Sequence, residues 1–167
     1  EQCSEFFTKF GGHPAAAGLS MEKDKLEGFR KRFEEIVSST IQEHQTYPVT
    51  TIDTAVEIES LNKDFFNFHR KLAPFGPHNM KPVMVLRNQN VASHVKQMGK
   101  DGSHIKFYIQ NPVTGRNIEC VGFKLGKFLE HFKSKTFDMA FTAEENHWKG
   151  NTTYYLNIRD VKFSENN

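Results

Sequence analysis

Apolar residues recur at helical spacing between Ser20 and Thr40, where Leu26, Phe29, Phe33, Ile36 and Val37 fall on one face and Lys23, Glu27, Lys31 and Glu34 on the other. This predicts an amphipathic helix with Ser20 as N-cap and a Glu27–Lys31 pair on its outer side; Gly28 in its interior costs about 1 kcal/mol relative to Ala. Such a helix depends on packing. Thr46–Thr51, with Pro48, reads as a connector. Ile52–Ile58 then alternates as a strand, and helical spacing returns over Leu61–Leu72, with Leu61, Phe65, Phe68 and Leu72 on one stripe. Ala73-Pro74 stops it.

After "PFGPHNMKP" the period becomes two. Val83–Leu86 and Val91–Lys96 predict one long, interrupted strand, and Lys100-Asp101-Gly102 is turn chemistry. His104–Gln110 puts Ile105, Phe107 and Ile109 inward and His104, Lys106, Tyr108 and Gln110 outward. Beyond the turn at "NPVTG", Asn117–Phe123 predicts a third strand, Leu125–Phe132 a short helix, Phe137–Ala143 a fourth strand and Thr153–Phe163 a fifth, entered through "NHWKGN". The expected class is α+β. Five strands with one helix between the third and fourth is the order of an OB-fold-like barrel, whose second and third strands commonly carry an oligonucleotide-binding face. A β-meander with an added helix has the same order.

Composition narrows the class further. A chain of 167 residues holds one medium domain, or a small one plus part of another. Its hydrophobic fraction of 37%, sixteen Phe and lack of a long apolar run predict a soluble protein with an aromatic core. The start Glu1-Gln2-Cys3, without Met, fits a piece of a longer polypeptide. Cys3 and Cys120 lack metal-ligand spacing and read as reduced, buried thiols of a cytoplasmic protein.

Charge changes the picture more than net composition does. Between Lys81 and Lys135 ten Lys/Arg face three acids, whereas the first fifty residues hold six bases and eight acids. Such a central excess marks either a polyanion-binding face or a solvated basic surface. No Ser/His/Asp or Cys/His arrangement supports nucleophilic catalysis, and the adjacent Glu144 and Glu145 point to opposite sides of an extended chain.

"FGGHPAAAG", with small or φ-restricted positions on both sides of His13, marks a close backbone approach. Taken with "LAPFGPHNMKP" (Leu72–Pro82), it resembles the C-terminal part of the RecJ family, single-strand-specific DNA exonucleases of the DHH phosphoesterase superfamily. "SHIKF" and "FDMAFTAEENHWKGNTTYYLNIRDV" resemble that family's later strands, while His78 stands where the family often has Gly. The resemblance covers nearly the whole chain but only the back portion of the enzyme. It implies that residues 1–47 complete an α/β DHH-associated domain and that 50–167 form an OB-like single-strand-binding domain. The implied parent is a 5′→3′ hydrolase of single-stranded DNA in recombination and repair. Its two Mn2+ or Mg2+ ions would sit in an N-terminal DHH domain without counterpart here. No cofactor or metal ligand, no unaided hydrolysis and no membrane association are expected of the fragment. Single-stranded DNA is the implied partner, with a single-strand-binding protein and a helicase as further ones.

On this resemblance, Gly11 and Gly12 admit a phosphate to backbone N–H groups. His13 would contact that phosphate and its transition-state charge, and Ala15, Ala16, Ala17 and Gly18 would pack beneath. The alternative is a His satisfied in a tight turn. In the barrel, Lys106 would meet phosphate, Tyr108 would stack on a base, and His104 shares their face. Lys96, Lys100, Arg116, Lys124 and Lys127 are candidate phosphate contacts as a set. Trp148, on a hairpin tip, either stacks on DNA or folds back on the sheet; Phe75 reads as a plug and Cys120 as core. Two other functions share these features: a DHH phosphoesterase of short oligonucleotides or cyclic dinucleotides, and a non-catalytic single-strand-binding module.

Overall fold

The small residues around His13 pair with one another instead of forming a loop. Lys9–His13 (β1) and Ala16–Ser20 (β2) make an antiparallel hairpin in which Gly11 lies opposite Gly18 and Gly12 opposite Ala17. The computed structural model describes residues 2–13 and 16–165, which separate into two units, Glu1–Val49 and Thr50–Asn167. Pro14 and Ala15, part of the expected glycine-flanked loop, lie outside the described residues.

In the first unit Ser20 closes β2 rather than capping a helix, because its carbonyl accepts Thr8 N (2.8 Å) and Thr8 Oγ1 (3.1 Å). The helix (α1, Leu26–Thr40) starts only after a 3-10 turn at Lys23–Lys25, with Lys25 at its N-cap. Glu27 pairs with Arg30 (3.4 Å) instead of Lys31, since position i+3 already brings a cation within reach. Phe29 packs against the rings of Phe7 (5.2 Å), Phe33 (5.5 Å) and Phe6 (6.3 Å). A Cβ on Gly28 would stand 2.8 Å from the Phe6 ring, so the glycine that weakens the helix admits the aromatic that anchors it. Phe33 remains half exposed.

The second unit is a seven-stranded sheet with helices. Its elements are β3 (Thr54–Ala55), α2 (Lys63–Lys71), β4 (Met84–Gln89), β5 (Lys96–Met98), β6 (His104–Gln110), β7 (Asn117–Gly122), α3 (Leu129–Ser134), β8 (Phe137–Trp148) and β9 (Asn151–Phe163). The strand order is β3-β4-β8-β9-β7-β6-β5; all neighbours are antiparallel except β3 with β4 and β7 with β9. The long strand expected over 83–96 is two strands, which makes six of the expected five, and the preceding strand β3 joins the same sheet as the seventh. Asn88 adopts φ 52° and the β4–β8 register shifts between Leu86 and Gln89, which turns the chain off β8. It crosses to β6, where Ala92 N donates to Tyr108 O (2.8 Å) before β5 pairs. One stretch of chain therefore supplies strands near both ends of the sheet.

Other expectations shift for local reasons. The strand expected over 52–58 shortens to Thr54–Ala55, because Ile58–Ser60 coils into a 3-10 turn. The β8–β9 hairpin outgrows its predicted ends and closes on Lys149-Gly150, whose φ values of 49° and 80° suit a two-residue I′ turn. On α2, Phe66 and His69 are the buried side chains, while Phe68 is 65% exposed. Phe66 stacks on Tyr154 of β9 (4.4 Å), and that contact selects the face. His78 takes φ 66° in a turn closed by reciprocal Gly76–Asn79 bonds of 2.9 Å. Phe75 is half-buried against His69 (5.3 Å).

Between the sheet's inner rows Ile105, Phe107, Ile109, Cys120 and Leu156 are sealed from solvent, and Phe132, Phe137 and Phe163 gather at one end of this core. Burial pushes the Cys120 thiol up, so it is inert. Among the described residues no helix is long and apolar enough to cross a membrane.

Candidate nucleic-acid interface

Alternation on β6 sends Lys106 and Tyr108 outward, and register decides what they meet. Tyr108 lies opposite Glu119 on β7, Glu119 opposite Tyr155 on β9, and Tyr155 opposite Glu144 on β8. The row thus alternates phenol and carboxylate across four strands. Glu119 Oε2 accepts from Lys106 Nζ (2.6 Å) and from Tyr108 Oη (3.1 Å), while Lys106 Nζ stands 5.8 Å from the Tyr108 ring centre. The bond to Glu119 raises the Lys106 pKa. At the far end Glu144 takes Lys81 Nζ (2.5 Å) on one oxygen and Thr142 Oγ1 (3.0 Å) on the other. Burial and the Glu144 charge raise the Tyr155 phenol above its ordinary value.

Of the other expected contacts, Lys96 adjoins Lys106 and the rest fall apart from this row. His104 accepts Lys124 N at Nδ1 (3.0 Å) and packs edge-on against Phe123 (5.2 Å), so it braces the approach to α3. Lys96 is exposed opposite Lys106, and Lys100 is exposed in the β5–β6 turn. Arg116 is exposed at the foot of the β6–β7 turn. Trp148 does not fold back: it is 70% exposed at the end of β8, with Lys149 Nζ 5.9 Å from its ring centre.

Three determinants escaped the sequence reading. Glu119 counted there only as one acid among many bases, although its outward phase opposite Tyr108 was the available signal. Tyr155 was the second. The third, Asn111, is 1% exposed; its Nδ2 donates to Ile58 O (2.9 Å) and its Oδ1 accepts Val113 N and Thr114 N (3.0 Å each). It fixes the turn that presents Arg116, and only a distant segment reveals why the side chain is buried.

In the first unit, pairing sets Lys9, Gly11 and His13 on one face of the hairpin with Ala16, Gly18 and Ser20. His13 is exposed. The two expected phosphate-approach glycines divide: among the described residues no atom beyond their chain neighbours lies within 4 Å of a Cβ built on Gly11 or Gly18, whereas one on Gly12 would strike Ala16 O and Ala17 Cα at 2.7 Å. Gly11 leaves backbone open to a ligand, and Gly12 serves the hairpin.

No group of three His, Cys, Asp or Glu converges among the described residues, so the donor set for a divalent ion is not found there.

A strand path crossing from one end of the sheet to the other, a parallel β7–β9 pair and a helix between β7 and β8 define a mixed α+β domain of the OB type. The chain belongs to the RecJ OB domain family, whose model matches residues 52–160. It is 28% identical over 98% of its length to the single-stranded-DNA-specific exonuclease RecJ of Bacillus subtilis (strain 168), of which it spans 21%. With the protein of the same name from Escherichia coli (strain K12) it shares 23% identity over 92% of its length and spans 26% of that relative. Among solved structures, RecJ of Thermus thermophilus in complex with Mn2+ superposes on 99% of the chain with a TM-score of 0.73, at 20% identity and 23% of that chain. The Mg2+ complex gives 0.69 at 19% identity.

Proposed function

We propose that this chain is the single-stranded-DNA-binding portion of a RecJ-type exonuclease, its second unit gripping the strand as an OB-fold barrel. Membership of the RecJ OB family over residues 52–160 carries this reading. Exposed Lys96, Lys100, Arg116, Lys124 and Lys127 supply phosphate contacts, and Trp148 supplies a stacking surface. Lys106 and Tyr108 contribute less, because Glu119 holds both.

In the parent enzyme the first unit belongs to a DHH-associated domain. Phosphodiester hydrolysis, 5′→3′ by the family resemblance, uses Mn2+ or Mg2+ held by residues outside these 167. His13 and the open backbone at Gly11 contact the phosphate under attack.

Trp148 is the sole tryptophan, so titration with oligo-dT at low salt reports directly on the barrel. Its emission is expected to be quenched, with log K falling by about 0.7 for each engaged phosphate per decade of salt. Absence of binding at low salt, or binding indifferent to salt, overturns the assignment.

A further inference from the structure

We infer that a cavity at the end of the sheet, lined by none of Lys106, Tyr108 and Glu119, is the anchoring pocket for one nucleotide of the bound strand. This rests on the single-strand-binding reading and assigns the place where its tightest contact is made. The cavity, about 480 Å³, is built from three separated segments: the start of α2, the end of the β6–β7 turn and the first residues of β9. Its volume lies in the range of sites that hold one small ligand, about 300–1,000 Å³, so it suits one nucleotide and not a run of them.

The lining has the mixture a nucleotide requires. Lys63 and Arg116 bring two cations, and neither forms an ion pair among the described residues. Among the described residues no Asp or Glu lines the cavity. Asn62, Thr114, Asn117, Thr152 and Thr153 add amide and hydroxyl groups for base edges and sugar oxygens through their remaining donor and acceptor capacity: Asn62 Oδ1 caps Asp64 N and Phe65 N, Thr114 Oγ1 accepts Arg116 N (3.4 Å), Thr152 Oγ1 bonds His147 Nδ1 (2.9 Å) and Thr153 Oγ1 donates to Asn146 O (3.5 Å). The stacked Phe66–Tyr154 pair and Ile118 supply the apolar surface against which a base can lie.

Contrast with the outward row of β6 decides between the two places. There Lys106 is paired with Glu119, and Lys81 with Glu144 at the far end of the row; Lys96 opposite Lys106 has no ion pair among the described residues, but Glu119 and Glu144 would repel an approaching phosphate. At the cavity both cations keep their charge for the ligand. An acidic peptide would match the cations too, but it has no use for five amide and hydroxyl groups around an aromatic wall. These favour a nucleotide.

The test uses the whole 167-residue chain, fluorescein-labelled oligo-dT and the double variant Lys63→Gln/Arg116→Gln. Both side chains are exposed, so the fold is retained, and an unchanged thermal melt checks this. Loss of two phosphate contacts is expected to weaken binding about tenfold or more and to reduce the salt slope by about 1.4. Cross-linking with 5-iodouracil oligonucleotides should label residues 114–118 or 152–154. If the natural chain binds DNA while the double variant binds equally well, or if cross-links fall wholly elsewhere, the pocket assignment fails and the single-strand-binding reading survives. An acidic peptide whose binding, unlike that of DNA, drops in the double variant also overturns it. If the natural chain does not bind oligo-dT at all, both readings fall together.

Discussion

Glu119 Oε2 lies 2.6 Å from Lys106 Nζ and 3.1 Å from Tyr108 Oη, so one carboxylate engages the two side chains that the strand pattern marks for DNA. Replacing Glu119 by Gln removes the charge and leaves Lys106 for phosphate. Affinity for oligo-dT should rise several-fold and the salt slope should steepen by about 0.7. In the natural background Lys106→Gln should change affinity by less than about threefold, on the same reasoning. Anisotropy titrations at several salt concentrations measure both; a large loss in Lys106→Gln would mean that DNA displaces Glu119.

Gly11 and Gly12 should separate function from folding. Gly12→Ala forces a methyl onto the backbone of Ala16 and Ala17, where nothing can yield without breaking the β1–β2 register. Gly11→Ala meets no atom within 4 Å and leaves the hairpin intact, while its methyl blocks the open face beside His13. Circular dichroism and exonuclease turnover in the parent enzyme distinguish the two. Gly11→Ala and His13→Ala should lower turnover with normal folding, whereas Gly12→Ala should reduce folded protein.

Asn111 spends both ends of its amide inside the second unit. Asn111→Leu conserves volume but strands the Ile58 carbonyl and two turn N–H groups, at a cost of about 3 kcal/mol. A loss of stability in urea unfolding below about 1 kcal/mol would mean that water replaces the amide. The turn carrying Arg116 should loosen in the same variant and show faster amide exchange at residues 113–116.

His69 is 7% exposed between Phe65 and Phe75, and its Nε2 has no hydrogen-bond partner among the described residues. Burial first, then the Lys81 charge, lowers its pKa, against opposing pulls from Glu144 and Glu145. The folded state therefore holds it neutral, while an unfolded His titrates near about 6.5. Its contribution is present above that value and is lost as pH falls toward the lowered folded pKa, because the unfolded chain then binds the extra proton. Between about pH 7.5 and 5.5 the urea midpoint should drop more in the natural chain than in His69→Phe. Parallel profiles would exclude His69 as the source of acid sensitivity.

Strand phase was readable along the chain: Ile105, Phe107 and Ile109 alternate with His104, Lys106 and Tyr108, and the first three are sealed in the core. The RecJ motifs were readable too, since "FGGHPAAAG" and "LAPFGPHNMKP" are contiguous strings. Helix faces were less so, because α2 offered Phe65, Phe66 and Phe68 within four positions and only Tyr154 chose among them. The β1–β2 hairpin was missed because Gly and Ala carry little strand propensity and pair here through backbone alone.

By itself the sequence determined which side of each β-strand a residue occupies, how its charges are distributed and which family it resembles. Only the tertiary structure decided that Glu119 would stand beside Tyr108, that Gly11 would open outward while Gly12 closed on Ala17, and that Lys63 and Arg116 would meet around one cavity. The reason is physical. A period of two or of 3.6 is a property of neighbouring residues along one backbone, whereas register and pocket walls join segments far apart in the chain and exist only once those segments pair.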